Sequence, residues 1–117
     1  MSSSASGQSQ CCPYLFYDDV AAAITFLRDA FGLDERFVDR DASGKVEHAQ
    51  LVYRGAVVML GATGSHPGYR PRKSPEALGG MNGGVYLFVD DVDAHAERAM
   101  AAGATILMPP TEMHWGD

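Results

Sequence analysis

His48 and Gln50 sit two residues apart in the run "VEHAQLVY". An imidazole that titrates near neutral pH can accept a proton or offer a hydrogen bond, and an amide can do the latter in both directions. On a strand, side chains two apart share a face, so His48 and Gln50 point one way while Ala49 and Leu51 point the other. The same alternation sorts the aromatic residues. In "CCPYLFYD", Cys12, Tyr14 and Phe16 share a face, with Pro13 and Leu15 behind. In "GVYLFVD", Tyr86 and Phe88 are paired in the same way and Leu87 packs behind. Met59, in "AVVMLG", joins the His48 side. A wall of rings carrying one imidazole and one amide suits a planar or apolar small molecule held by stacking and a few hydrogen bonds. His48 is the candidate catalytic residue. Nothing adjoining it in sequence supplies a nucleophile, a carboxylate on its own face or a metal ligand, so positioning of a ligand is the expected role.

The remaining chemistry-bearing residues lie in segments of loop or helix character. His95 falls on a helix and His66 in a loop, and both are expected in solvent. Arg70, Arg72 and Lys73 form the one basic cluster, read either as a solvated loop or as a guide for an anionic ligand. His114 and Trp115 lie in the tail "PPTEMHWGD", where they can close over the aromatic wall or pack against a partner chain.

The elements that must position these residues are announced by a repeat. "YLFYDDV" at 14–20 returns as "YLFVDDV" at 86–92, 72 residues later. Each copy reads as a strand followed by an aspartate able to cap a helix, Asp18 or Asp19 in the first and Asp90 or Asp91 in the second. In the first helix Val20, Ala23, Ile24, Leu27 and Phe31 recur at helical spacing, and Gly32 suits the left-handed position past its end. "LDERFVDRDASGKVEHAQLVYRGAVVMLGA" then reads as a three-strand meander with turns at "DASGK" and "RG". Residues 62–83 are too rich in Gly and Pro for a regular element and form a linker loop. The second copy continues as a strand over 85–89, a helix with Val92, Ala96 and Ala99 inward, a stop at Gly103, and a strand "ATILM".

The predicted fold class is α+β, with paired βαβββ modules forming a cup-shaped mixed sheet. Module one spans 12–61 and an apparently truncated module two spans 84–117, in one domain over 11–117. The first ten residues are expected to be a disordered tail. The strands lacking from module two are expected either from another chain or to have been lost by truncation.

Composition bounds the partners. The chain has 117 residues and a formal charge of −6, which argues against a nucleic-acid backbone as partner. No apolar run reaches the roughly 18 residues of a membrane span, and no export signal opens the sequence. Cys11 and Cys12 are adjacent and match no zinc spacing, in keeping with a reduced, cytoplasmic chain.

Taken together, "YLFYDDVAAAITFLRDAFG", "GKVEHAQLVYRGAVVML", "GGVYLFVDDVDAHAERAMAAGATIL" and the closing "WGD" resemble the vicinal oxygen chelate superfamily. That superfamily includes glyoxalase I, bleomycin-resistance proteins, fosfomycin-resistance transferases and extradiol dioxygenases, and the chain looks nearest to its glyoxalase-like and PhnB-like branch. The resemblance implies a cup of strands from paired modules, often with a metal bound from the first and fourth strands of each. Carried onto this sequence, those positions fall on Cys12, Met59 and Gly84, with the fourth at 131, beyond Asp117. A thioether and a glycine do not supply the hard or borderline ligands that the metalloenzymes use, so no metal or other cofactor is expected. The implied function is a bleomycin-resistance-like binding protein and homodimer, its chains possibly exchanging strands. Cys12, Tyr14, Phe16, His48, Gln50, Met59, Tyr86, Phe88 and Trp115 would contact the ligand. The alternative is a metal-dependent lyase or dioxygenase of the same superfamily.

Overall fold

The phrase "YLFY" forms β1 (Tyr14–Tyr17) in the computed structural model, which describes residues 11–65, 71–81 and 83–114. The tail over 1–10, His66, Arg70 and Trp115 lie outside those residues. The chain leaves β1 through two aspartates into helix α1 (Val20–Phe31). Asp19, in extended backbone, accepts from the Ala22 amide at 3.0 Å and so caps the helix, and Gly32 closes it at φ 76°. The meander follows as β2 (Asp34–Arg40), β3 (Val46–Tyr53) and β4 (Ala56–Ala62).

Each turn has a local cause. Asp41 Oδ1 accepts from the Ser43 amide at 2.8 Å, the Ser43 hydroxyl at 2.6 Å and the Lys45 amide at 3.0 Å, winding the loop between β2 and β3. Between β3 and β4, Arg54 and Gly55 both take positive φ, 49° and 84°, the signature of a two-residue hairpin turn that matches strand twist.

The four strands lie in the order β1-β4-β3-β2. β1 runs parallel to β4 with Tyr14 opposite Met59, and the other neighbours are antiparallel. The expected alternation holds: Val20, Ala23 and Ile24 of α1 bury against Ala49 and Leu51 of β3 and Val58, Leu60 and Ala62 of β4. That packing leaves the opposite face of the sheet without a helix. β2 is the outer strand on one side, and Asp34, Glu35, Arg36, Asp39 and Arg40 keep its open edge charged.

Two features depart from the expected elements in the linker and the second helix. Residues 75–78 form a single helical turn, α2 (Pro75–Leu78), because Ser74 caps it through Ala77 N at 3.1 Å, Pro75 occupies its first turn and Gly79 ends it at φ 73°. His95, on α3 (Val92–Ala101), is not in solvent: its ring stacks on Phe31 at 5.9 Å and its Nε2 lies 3.3 Å from the Phe31 carbonyl. Beside it, Arg98 donates to the Asp29 and Arg28 carbonyls at 2.9 and 3.1 Å. A cation thus meets the negative end of α1, and α3 docks there rather than on the sheet.

The second module is where the structure departs most from expectation. Asp91 caps α3 through Ala94 N at 3.0 Å, as Asp19 does for α1. Neither 85–89 nor 104–108 forms a strand among the described residues. A strand needs a partner, and β1 has one in β4; nothing described offers 85–89 the same. The consequence reaches the helix, since Val20 is 1% exposed while its repeat counterpart Val92 is 54% exposed.

Leu60, fully buried between α1 and the sheet, is central to the core. Leu60→Ala is expected to cost about 2–5 kcal/mol, measured by urea denaturation.

Candidate functional site

On the helix-free face, the rings of Tyr14 and Phe16 lie nearly parallel, centroids 4.8 Å apart and planes inclined by 12°. The rings are stacked on each other, and what makes room for them is on the neighbouring strand. Gly61 of β4 stands opposite Phe16. A Cβ there would come within 2.8 Å of both Phe16 Cε2 and Tyr14 Cε1, so the missing side chain is the space the rings occupy. Gly61 also pairs with His48 across β3. The Tyr14 side chain therefore reaches over β4 and places its hydroxyl 2.9 Å from His48 Nδ1.

The expected group Tyr14, Phe16, His48, Gln50 and Met59 is thereby brought to one face. Met59 lies opposite both Tyr14 and Gln50 in the register. Gln50 Nε2 is 3.4 Å from His48 Nε2. If the amide donates there, the neutral imidazole carries its proton on Nδ1 and gives it to the Tyr14 oxygen, and the phenolic O–H is directed to an acceptor other than His48. Phe37, opposite Gln50 on β2, brings a further ring to within 6.2 Å of the imidazole, and Asp39 stands opposite His48. Irregular register between Glu35 and Phe37 sets this placement. Gly61 and Phe37 were not expected at the site. A glycine within an apolar strand signals close approach, but a bulge has no mark in this sequence.

The loop contributes one more group. Arg72 lies with its guanidinium carbon 5.2 Å from the centroid of the Phe16 ring. Two residues on, the buried Ser74, 1% exposed, donates to Asp18 Oδ2 at 2.9 Å, and Thr63 donates to Asp18 Oδ1 at 2.7 Å, tying the loop to β1 and β4 through an exposed carboxylate.

Cys12 lies half-buried just before β1. Tyr86 and Phe88 are close to each other, centroids 5.3 Å apart, but are 67% and 70% exposed and belong to no strand. They are therefore not part of a closed cup. Leu87 between them does turn into the core. The segment is fastened by Tyr53, which donates to the Phe88 carbonyl at 3.1 Å, and by Arg54, paired with Asp90 at 2.7 Å. An open groove of about 980 Å³ runs between this segment and residues 106–113, lined by Val85, Tyr86, Val92, Ile106 and Met108 among others. A smaller groove of about 450 Å³ lies between the end of α1, the β3–β4 turn and the start of α3.

The positions at which the superfamily's metalloenzymes hold a metal do not fit one here. Cys12 and Met59 offer only sulfur, Gly84 offers no side chain, and the nearby His48 engages Tyr14 and Gln50. Among the described residues no three His, Cys, Asp or Glu side chains converge to hold an ion.

Comparison with known proteins shows to which superfamily this mixed α+β module belongs. The chain belongs to the Glyoxalase/Bleomycin resistance protein/Dioxygenase superfamily, whose model matches residues 8–117. Among solved structures it is similar to TioX from Micromonospora sp. ML1, with a TM-score of 0.65 at 31% identity over 92% of this chain and 83% of that one. An Arabidopsis thaliana gene product superposes with a TM-score of 0.62 at 25% identity, covering 83% of this chain and 75% of that one. Uncharacterized proteins of Mycobacterium bovis and Mycobacterium tuberculosis are 37% identical over 105 residues, 90% of this chain. The chain spans 69% and 62% of their respective lengths. Among the described residues no helix is long and apolar enough to cross a membrane.

Burial lowers the pKa of His48 below its ordinary value, with the Asp39 carboxylate opposing the shift in part. The unfolded chain then binds more protons at this site than the folded one. Its contribution to stability is full above about pH 6.5 and falls as the pH drops from there toward the lowered folded pKa. Asp18 is held below the usual carboxylate range by hydrogen bonds from Thr63 and Ser74, and Asp41 by those from Ser43 and Lys45. Their contributions go only below about pH 4. Thermal unfolding from pH 7.5 to 5 is expected to show a loss that His48→Gln reduces, with the acid limb below pH 4 unchanged.

Proposed function

We propose that this protein binds a small planar or apolar organic molecule on the helix-free sheet face, without the superfamily's metal. The observation that carries this reading is the stacked pair of Tyr14 and Phe16 over Gly61, in which Phe16 is buried and Tyr14 half-buried, with the His48 and Gln50 polar groups at its border. The half-buried Tyr14 ring offers an aromatic surface, and a hydroxyl, an imidazole and an amide beside it give orientation without reaction chemistry. His48 serves as a positioning residue in this reading, since its partners on the face are a phenol and an amide. Met59, opposite Tyr14 and Gln50, borders the pair, and Cys12 precedes β1.

The assembly in this proposal is a homodimer. Its support is the run of apolar side chains left open in the second repeat, Tyr86, Phe88, Val92, Leu107 and Met108 among them, on a segment of strand composition without a strand partner among the described residues. A second copy placed there would cover this surface and bring Tyr86 and Phe88 toward a ligand.

Isothermal titration with a panel of flat aromatic compounds in chelator is expected to give saturable binding that Tyr14→Leu, which removes the half-buried ring of the stacked pair, weakens at least about tenfold. Equal binding by the variant, or binding only when metal is added, would sink the reading. Light scattering is expected to give twice the 12.5 kDa chain mass; a monomer across the micromolar range would remove the dimer and leave the face.

A further inference from the structure

Both ring nitrogens of His48 are engaged within the chain. Nδ1 lies 2.9 Å from the Tyr14 hydroxyl, and Nε2 lies 3.4 Å from Gln50 Nε2. The polar group of the face that keeps capacity for a ligand is therefore the Gln50 amide. A primary amide carries two N–H donors and a carbonyl oxygen that accepts. With one N–H turned to the imidazole, the second N–H and the carbonyl engage nothing else among the described residues, and neither is shut off from water. Gln50 stands on β3 opposite Phe37 of β2 on one side and Met59 of β4 on the other. Phe37 is 49% exposed, and its ring lies 6.2 Å from the imidazole at a tilt of 55°. A half-buried amide is thus flanked by an open ring and a thioether. A flat molecule lying over Phe37 and Met59 takes water away from the amide between them. A polar group that loses water without a replacement partner destabilises the complex by more than an ordinary hydrogen bond adds. A ligand that brings a donor for the carbonyl and an acceptor for the N–H avoids that loss; one that lacks them does not.

We infer that Gln50 is a specificity residue, selecting planar ring ligands whose edge carries an N–H next to a carbonyl, the grouping of cyclic imides and lactams. This rests on the face being a ligand site as proposed above. The ligand's N–H donates to the Gln50 carbonyl, its own carbonyl accepts from the Gln50 N–H, and its flat part lies over Phe37 and Met59. The donor and acceptor must adjoin on the ligand because they adjoin on the amide.

Two fluorescent probes with the same ring system separate this inference from the reading beneath it: 1,8-naphthalimide, which carries the edge, and N-methyl-1,8-naphthalimide, in which a methyl group replaces the imide hydrogen. Titrated at pH 7.5 in chelator, with naphthalimide fluorescence as readout, the first is expected to bind about tenfold or more tighter than the second. Gln50→Met, which keeps the length of the side chain and removes the amide, is expected to bring both to one affinity, with folding checked by circular dichroism. Gln50→Glu, which keeps an acceptor for the imide N–H, is expected to retain part of the preference. Phe37→Leu is expected to weaken both probes alike. Equal binding of the two probes, a preference that survives Gln50→Met, or affinities unmoved by Phe37→Leu would overturn the role of Gln50 while leaving the aromatic site standing. Failure of both probes to bind, or binding unmoved by Tyr14→Leu as well, would overturn both.

Discussion

The candidate site depends on a missing atom. Gly61 has no Cβ, and both aromatic rings of β1 lie in the volume that one would fill. From that vacancy follow the near-parallel stacking of Tyr14 on Phe16 and the reach of the Tyr14 hydroxyl to His48. A side chain at this position would tilt the rings off the sheet and separate the phenol from the imidazole. Glycine in a strand interior is costly in conformational entropy, which here is exchanged for close approach between strands.

The paired aspartates show how a repeated sequence is used twice with different partners. The second of each pair does the same work in both copies, capping a helix through the amide three residues on. The first does not. Asp18 ties β1 to the end of β4 and to the loop that carries Arg72, whereas Asp90 binds Arg54 at the β3–β4 turn. The second copy is thus attached to the hairpin of the first module through Arg54, Tyr53 and the inward Leu87. Helix α3 completes the attachment by capping α1 with Arg98 and His95. The two copies are joined at ends and turns, and the four-stranded sheet among the described residues is built from the first copy's module alone.

That difference bears on the superfamily's chemistry. Its metalloenzymes take ligands from both modules, whereas here the strands among the described residues all belong to the first module, and their helix-free face carries a phenol, an imidazole and an amide in contact. Sequence identity of 37% to mycobacterial proteins and of 31% to TioX places the chain firmly in the superfamily without narrowing the ligand.

Local chemistry made much of module one readable from sequence: the alternation of "YLFY" and "EHAQL", the caps at Asp19 and Gly32, and the turn at Arg54-Gly55 each depend on residues within a few positions of one another. The side of the sheet on which Tyr14, Phe16, His48, Gln50 and Met59 gather followed from the two-residue period alone. Contacts between distant residues were decided by the tertiary structure. Gly61 under the rings, Phe37 beside His48, the Asp18–Ser74 bond and the partial burial of His95 join positions 45 to 64 residues apart or depend on an irregular register. The strands of the second copy illustrate the same limit from the other side, since "YLFV" has the composition of "YLFY" but lacks a neighbouring strand. Side-chain pattern states which face a strand would bury; backbone hydrogen bonds to another segment decide whether the strand exists.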